Sequence, residues 1–274
     1  MDLGISSYTF TWAVGVDGYQ KPRHPLSALG LIEKAKNLGL SVVQICNNMP
    51  LDLLSNVEIK ELSSVVRKER IELEIGTQGV DPACLYQYLN LANQLNAKLV
   101  RTTLHSGNSM PDIYQAIKWL KQIARDFEAD SVRIAIENHD KYSSENLVKI
   151  VEEVDSPSVG ICLDTVNSLG VLECPGFVVK KLAPYTINLH IKDFKIQRVQ
   201  HQMGFLVTGC PAGDGQLDID MVLNVLHEEG KTPNKILELW TPFNETIEKT
   251  TETENEWCEK SIKFLKGILI NEKQ

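Results

Sequence analysis

Short runs of apolar residues recur along the chain with a period of two, and several of them stop abruptly at charged or amide side chains. The clearest is Val132-Arg133-Ile134-Ala135-Ile136-Glu137-Asn138-His139-Asp140. Three later runs end the same way: Gly160-Ile161-Cys162-Leu163-Asp164, Ile187-Asn188-Leu189-His190-Ile191-Lys192-Asp193 and Lys235-Ile236-Leu237-Glu238-Leu239-Trp240. Side chains in a strand alternate between its two faces. The large aliphatics Val132, Ile134, Ile136, Ile161, Leu163, Ile187, Leu189, Ile191, Leu237 and Leu239 therefore share a face toward covering helices. The opposite parity, carrying Ala135, Glu137, Cys162, Asp164, Asn188, His190, Lys192, Ile236, Glu238 and Trp240, faces a common interior.

Between such runs lie stretches with helical spacing. Ile113, Ala116, Ile117, Leu120, Ile123 and Phe127 form one apolar stripe, the pattern of a helix packed on a sheet. Pro25 opens a second with Leu26, Leu29, Ile32, Ala35 and Leu38, and Trp257, Ile262, Leu265 and Ile268 mark the last. Ser55 and Glu58 have capping-box spacing, and Asp81-Pro82 and Asp112 supply further helix starts. Strands beginning near Leu3, Ser41, Ile71, Lys98, Val132, Val159, Ile187 and Lys235 alternate with helices eight times. That order predicts an α/β fold: one (β/α)8 TIM barrel over residues 1–274, a parallel eight-stranded barrel with outer helices. Phe194 to Leu217 is a long glycine-containing excursion after the seventh strand, read as a lid bending at Gly209 to Gly215.

Composition narrows the function. With 28 basic against 36 acidic residues the formal net charge is -8, and no Lys/Arg cluster offsets it, so nucleic acid is not an expected partner. The first residues lead straight into a strand without a basic region and long apolar segment, which argues against export or a membrane anchor and makes the cytoplasm the expected location. Six scattered cysteines without CxxC pairs suit reduced thiols. Barrels of this kind often pair, so a homo-oligomer is compatible with the sequence, although no exposed apolar stripe demands one.

The chemistry gathers at the carboxyl ends of strands, where barrels of this type place function. Glu137, Asp164, His190 and Glu238 in one interior would repel and desolvate one another without a cation. Three oxygen donors and one nitrogen suit manganese first, with magnesium or cobalt as alternatives. Lys192 shares the inward parity of His190; Arg101, inward on the fourth strand, would bind a carboxylate or neutralise Glu72 and Glu74. Tyr8, Phe10, Trp12 and Trp240 offer flat walls, with core packing the stronger reading for Phe10. Asn138, His139 and Asn167 cluster beside them.

The order of Ile-Glu-Asn-His, Cys-Leu-Asp-Thr-Val-Asn, Asn-Leu-His-Ile-Lys-Asp and Leu-Glu-Leu-Trp resembles the xylose-isomerase-like barrel family of sugar and sugar-phosphate isomerases and epimerases. The resemblance spans nearly the whole chain. It implies that Glu137, Asp164, His190 and Glu238 bind the divalent metal, and that Glu137 and Glu238 move a proton beside a carbonyl through an enediolate. Read from its own inward position, Lys192 is a third catalytic candidate that would neutralise a substrate carboxylate or protonate an enolate oxygen, or else form a salt bridge to Glu238 or Asp164. Tyr8, Arg101, His139, Asn167, Lys192 and Trp240 would bind a small sugar or sugar-acid substrate. The family's epimerases usually carry a histidine three residues after the ligand aspartate and an arginine six after the ligand histidine. This chain has Asn167 and Ile196 there. The resemblance thus implies a metal-dependent isomerase or epimerase, with a lyase of the same family, a decarboxylase or dehydratase of an oxo sugar acid or inosose, as the alternative. A DNA-repair endonuclease of the family would need histidines beyond the six present (His24, His105, His139, His190, His201 and His227). A non-catalytic sugar-binding barrel is the other class considered.

Overall fold

A computed structural model describes residues 2–107, 109–201 and 203–271. Eight parallel strands close into a barrel: β1 (Leu3–Ser6), β2 (Val42–Ile45), β3 (Glu72–Gly76), β4 (Leu99–Thr102), β5 (Arg133–Glu137), β6 (Val159–Asp164), β7 (Thr186–Ile191) and β10 (Asn234–Leu237). Each begins within a residue of its expected start. The covering helices are α1 (Thr11–Val14), α2 (Ala28–Asn37), α3 (Asn56–Glu69), α4 (Pro82–Leu95), α5 (Ile113–Ala129), α6 (Ser144–Val154), α7 (Pro175–Leu182), α8 (Ile219–Glu228) and α9 (Ile247–Asn271). In α5 the stripe residues Ala116, Ile117, Leu120, Ile123 and Phe127 are all buried, and each large side chain among them contributes about 1.5–3 kcal/mol by leaving water. The six cysteines are free thiols. Among the described residues no helix is long and apolar enough to cross a membrane.

The helix starts follow local chemistry. Ser55 and Glu58 form the reciprocal capping box of α3, and Asp81 and Asp112 cap α4 and α5 through their carboxylates. The helix assigned to Pro25 starts later. Ser27 accepts a hydrogen bond from the Gly30 amide and caps α2 at Ala28, while the Leu26 amide is spent on the Ala13 carbonyl. A side-chain cap fixes the start more firmly than a proline upstream of it.

The inward parity is realised with one correction. Leu99, Ala135 and Cys162 form a small apolar layer inside the barrel, and Ile187 packs into that layer, whereas alternation alone turned it toward the helices. Ile161 pairs with Thr186 but Cys162 pairs with Asn188, so β7 carries one extra residue at this point. A bulge of this kind sets two successive side chains on the same face. Gly160 makes room for it, since a Cβ there would lie 2.9 Å from the Ile187 side chain.

The excursion after β7 is an antiparallel ribbon of β8 (Asp193–Arg198) and β9 (Phe205–Cys210). Its glycines are not a hinge. The buried Asp193 carboxylate accepts from the amides of Phe194, Gly213, Gly215 and Leu217 at 2.8–3.0 Å, which locks the turn leading out of the ribbon. A Cβ on Gly209 would sit 2.4 Å from the Trp240 carbonyl oxygen, so the ribbon packs directly on the strand end carrying Trp240. It buttresses that wall of the site.

The last helix packs back on α1. Glu254 of α9, buried, accepts hydrogen bonds from the amides of Trp12 and Ala13 at 2.8 and 2.9 Å. Burial pushes its carboxyl up to about 7, against the opposing pull of those two amides and of Lys34. A carboxyl raised in the folded state contributes its full stability below about 4.5, its ordinary value, and loses it as pH rises to about 7. Chemical denaturation of the wild type should therefore show stability falling across this window by roughly 3 kcal/mol from this group. Glu254→Gln should flatten that portion of the profile, and an unchanged slope would remove Glu254 as its source.

Candidate active site

The register of four neighbouring strands assembles the site. Glu137 ends β5, Asp164 ends β6, His190 lies on β7 opposite Asp164, and Glu238 follows β10 directly. All four side chains are buried. His190 Nδ1 lies 3.3 Å from Glu137 Oε2, 3.4 Å from Glu238 Oε1 and 3.9 Å from Asp164 Oδ2.

A chain of amides fixes the imidazole. Glu74 Oε2 accepts from Gln44 Nε2 at 2.9 Å, and Asn188 Oδ1 accepts from the same nitrogen at 3.1 Å. Gln44 must then turn its carbonyl oxygen toward His190, whose Nε2 lies 2.8 Å away and donates. Nδ1 is left with no hydrogen-bond partner and lies beside the carboxylates. Asp164 is arranged in the same spirit. Its Oδ1 accepts from the Val166 and Asn167 amides at 2.9 and 2.7 Å, while Oδ2 receives no hydrogen bond and faces the Lys192 ammonium 2.9 Å away. Asn138 holds the strand end by accepting from the Asp164 amide at 2.7 Å and donating to the Asp164 carbonyl at 2.9 Å. Ser6 donates to Glu238 Oε1 at 2.9 Å.

His190 Nδ1, without a hydrogen-bond partner, and Asp164 Oδ2, met only by the Lys192 ammonium, are buried beside two further carboxylates, a donor set that fits a divalent cation. His190 Nδ1 lies 3.3–3.9 Å from the three carboxylates, and Asp164, His190 and Glu238 bring donor atoms within 4.8 Å of one another, spacing compatible with ligands of one ion, while Glu137 meets His190 in a second grouping with Cys162. Orienting partners such as Gln44 and Asn138 are the usual company of metal ligands.

Two permanent cations balance the carboxylates. Burial opposes ionisation of Glu137, but the Arg101 guanidinium, which donates Nε to Glu137 Oε2, and the His190 ring outweigh it and hold the carboxyl well below its ordinary value. Glu238 is likewise held low against burial by His190 and Lys192. Lys192 Nζ bridges Asp164 Oδ2 and Glu238 Oε2, each at 2.9 Å, and these carboxylates keep it charged despite burial. Arg101 thus pairs with Glu137. Its expected role toward Glu72 and Glu74 falls instead to Asn234, which donates to both, and to Gln44 and Asn188 on Glu74.

Above the carboxylates opens a cavity of about 430 Å³, and every residue expected to bind substrate lines it: Tyr8, Arg101, His139, Asn167, Lys192 and Trp240. Trp240 is partly exposed, with Lys192 Nζ 5.7 Å from its ring centroid. Asn47 joins Tyr8 to Arg101, donating to the phenol at 2.9 Å and accepting from the guanidinium at 3.2 Å. Asn167 donates to Glu137 Oε1 at 2.7 Å and accepts from Lys192 at 3.4 Å. Phe10 and Trp12 stay in the packing: Phe10 is buried under α9 and Lys34, and Trp12 stacks with Tyr19 and Phe243. Ile196 lies half-exposed on the ribbon. Among the described residues the ribbon contributes none that line the cavity, so the expected lid does not cover it. Ser6, Gln44, Thr11 and Gln78 were not anticipated. For Ser6 and Gln44 the signal was present, because each is a polar residue at inward parity near the end of a strand.

Known proteins share this plan. A 3-oxo-isoapionate decarboxylase of Pectobacterium atrosepticum is 31% identical over 265 residues, covering 97% of this chain and 95% of its own. The D-psicose 3-epimerase of Clostridium cellulolyticum, solved with D-tagatose, superposes with a TM-score of 0.74 at 16% identity over 98% of this chain and 99% of its own. A xylose isomerase-like TIM barrel protein from Mycobacterium smegmatis, solved with magnesium, gives 0.68 at 15% identity over 95% of this chain and 96% of its own. The family model for the xylose isomerase-like TIM barrel matches residues 32–268. With the barrel, the register and the full-length relative in agreement, this chain belongs to the xylose isomerase-like TIM barrel family.

Proposed function

We propose that this chain is a divalent-metal-dependent lyase that decarboxylates a small polyhydroxylated 3-oxo acid. The observation that carries the reading is Lys192, a buried ammonium that touches the carboxylate cluster and also forms part of the cavity wall. A cation so placed matches an anionic substrate, whereas a neutral ketose has no charge to meet it. The full-length relative, named for decarboxylation of a 3-oxo sugar acid, supports the same choice. So do Asn167 and Ile196, which stand where the family's epimerases usually carry histidine and arginine.

Glu137, Asp164, His190 and Glu238 would hold the ion, which when bound supplies positive charge to the oxygen that becomes anionic as the carbon–carbon bond breaks. The electron pair of that bond passes toward the carbonyl, carbon dioxide leaves, and a proton returns to the same carbon. Lys192 draws the acid in and then faces the charge as it moves from carboxylate to enolate oxygen, an interaction worth most in the transition state. Tyr8 and Trp240 wall the carbon skeleton, and Arg101 and Asn47 hold Tyr8 in place. Glu137 and Glu238, both in the cavity wall, keep proton transfer between ketoses as the second reading.

Incubated with manganese and polyhydroxylated 3-oxo acids, the protein should release carbon dioxide in step with ketose formation. Interconversion of free ketoses without carbon dioxide would replace this reading with the epimerase. Glu238→Gln should bind metal more weakly and lose about 10²–10⁴-fold in turnover; unchanged turnover would remove its role. Lys192→Met should lower kcat/KM by about 10²-fold or more. It should also destabilise the metal-free protein by about 3–5 kcal/mol, because Asp164 and Glu238 lose their shared counter-charge. Manganese should recover much of that loss in a thermal melt.

A further inference from the structure

The loops after β4 and β5 bring a second group of ligating side chains together at the cavity mouth. One donor atom from each of His105, His139 and Asp140 lies within 4.8 Å of the other two. His139 Nδ1 and Asp140 Oδ1 are 2.5 Å apart, and the rings of His105 and His139 meet at 62° with centroids separated by 5.2 Å. His105 Nδ1 is buried and has no hydrogen-bond partner among the described residues. A shielded polar atom left without a partner is costly, and a ligand that meets it recovers that cost.

We infer that His105, His139 and Asp140 form a second divalent-cation site, separate from the four strand-end ligands. Two imidazoles and one carboxylate favour borderline ions such as zinc, cobalt and nickel over magnesium or calcium. All three residues are only partly buried, so their side chains have room to rotate inward to the bond lengths of about 2.0–2.2 Å that such an ion needs. Lys141 Nζ sits 2.9 Å from Asp140 Oδ2, which leaves Oδ1 as the ligating oxygen and makes this site weaker than the central one.

Three protein ligands leave coordination positions open, the arrangement of a site that accepts an exogenous ligand. His139 and Asp140 line the cavity, so those positions are within reach of its contents. An oxygen-rich acid bound below would find there a second anchor for its far end. This last step rests on the lyase reading; the cation site itself does not.

Titration of metal-free protein with cobalt(II), followed by calorimetry and by the visible absorption of the ion, reads the site without any substrate. The wild type should take up two ions per chain in two phases. His105→Ala and Asp140→Asn should each lose the weaker ion and keep the tighter, with thermal stability retained. Uptake of a single ion by the wild type would overturn the proposal, as would two ions that persist in either variant. Loss of decarboxylase activity with two-ion binding intact would count against the proposed reaction alone.

Discussion

Three buried carboxylates within a few ångströms of one imidazole are the constraint on which the rest of the site depends. Glu137, Asp164 and Glu238 cannot share a dry interior unless positive charge is supplied. The chain supplies part of it permanently, through Arg101 on Glu137 and Lys192 between Asp164 and Glu238. On the proposed reading the remainder comes from an ion, toward which His190 Nδ1 has no competing hydrogen-bond partner. The polar layer beneath serves this arrangement. Glu74 and Asn188 orient Gln44, and Gln44 orients His190, so the direction of Nδ1 at the centre is set by residues that do not line the cavity.

That division of charge bears on function. A site balanced only by a metal would admit neutral and anionic sugars on similar terms. On the proposed reading, a fixed ammonium beside the four strand-end groups tilts recognition toward an acid and offers a partner for charge that relocates during bond cleavage. The full-length relative is named as a decarboxylase, while a solved structure of the same fold is named as an epimerase. Lys192, Asn167 and Arg101 border the four strand ends directly, and on the proposed reading they are the residues that favour one reaction over the other.

Much of this was legible in the chain. Alternation placed Glu137, Asp164, His190 and Glu238 on one face, because a strand's period of two is a property of the backbone, and the pairing register then brought them level. The same rule named Lys192, Arg101 and Trp240. It failed at Ile187, where a bulge created by pairing with a distant strand inserts a residue that no local pattern announces. Gly209 to Gly215 read as flexible because glycine is permissive. Their actual reason is close approach to Trp240, Phe264 and Asp193, a matter of tertiary contact. Gln44 and Ser6 were overlooked because uncharged polar residues resemble ordinary strand residues until their partners are known.

The central claim is that the four strand ends form a divalent-metal site. Its most direct test is elemental mass spectrometry of protein purified without chelator, wild type beside His190→Ala, after gel filtration has removed weakly held ions. About one tightly held manganese, magnesium or cobalt per chain in the wild type, absent from the variant, is the predicted result. No retained ion in the wild type even after loading with manganese, or equal retention in His190→Ala, would contradict it.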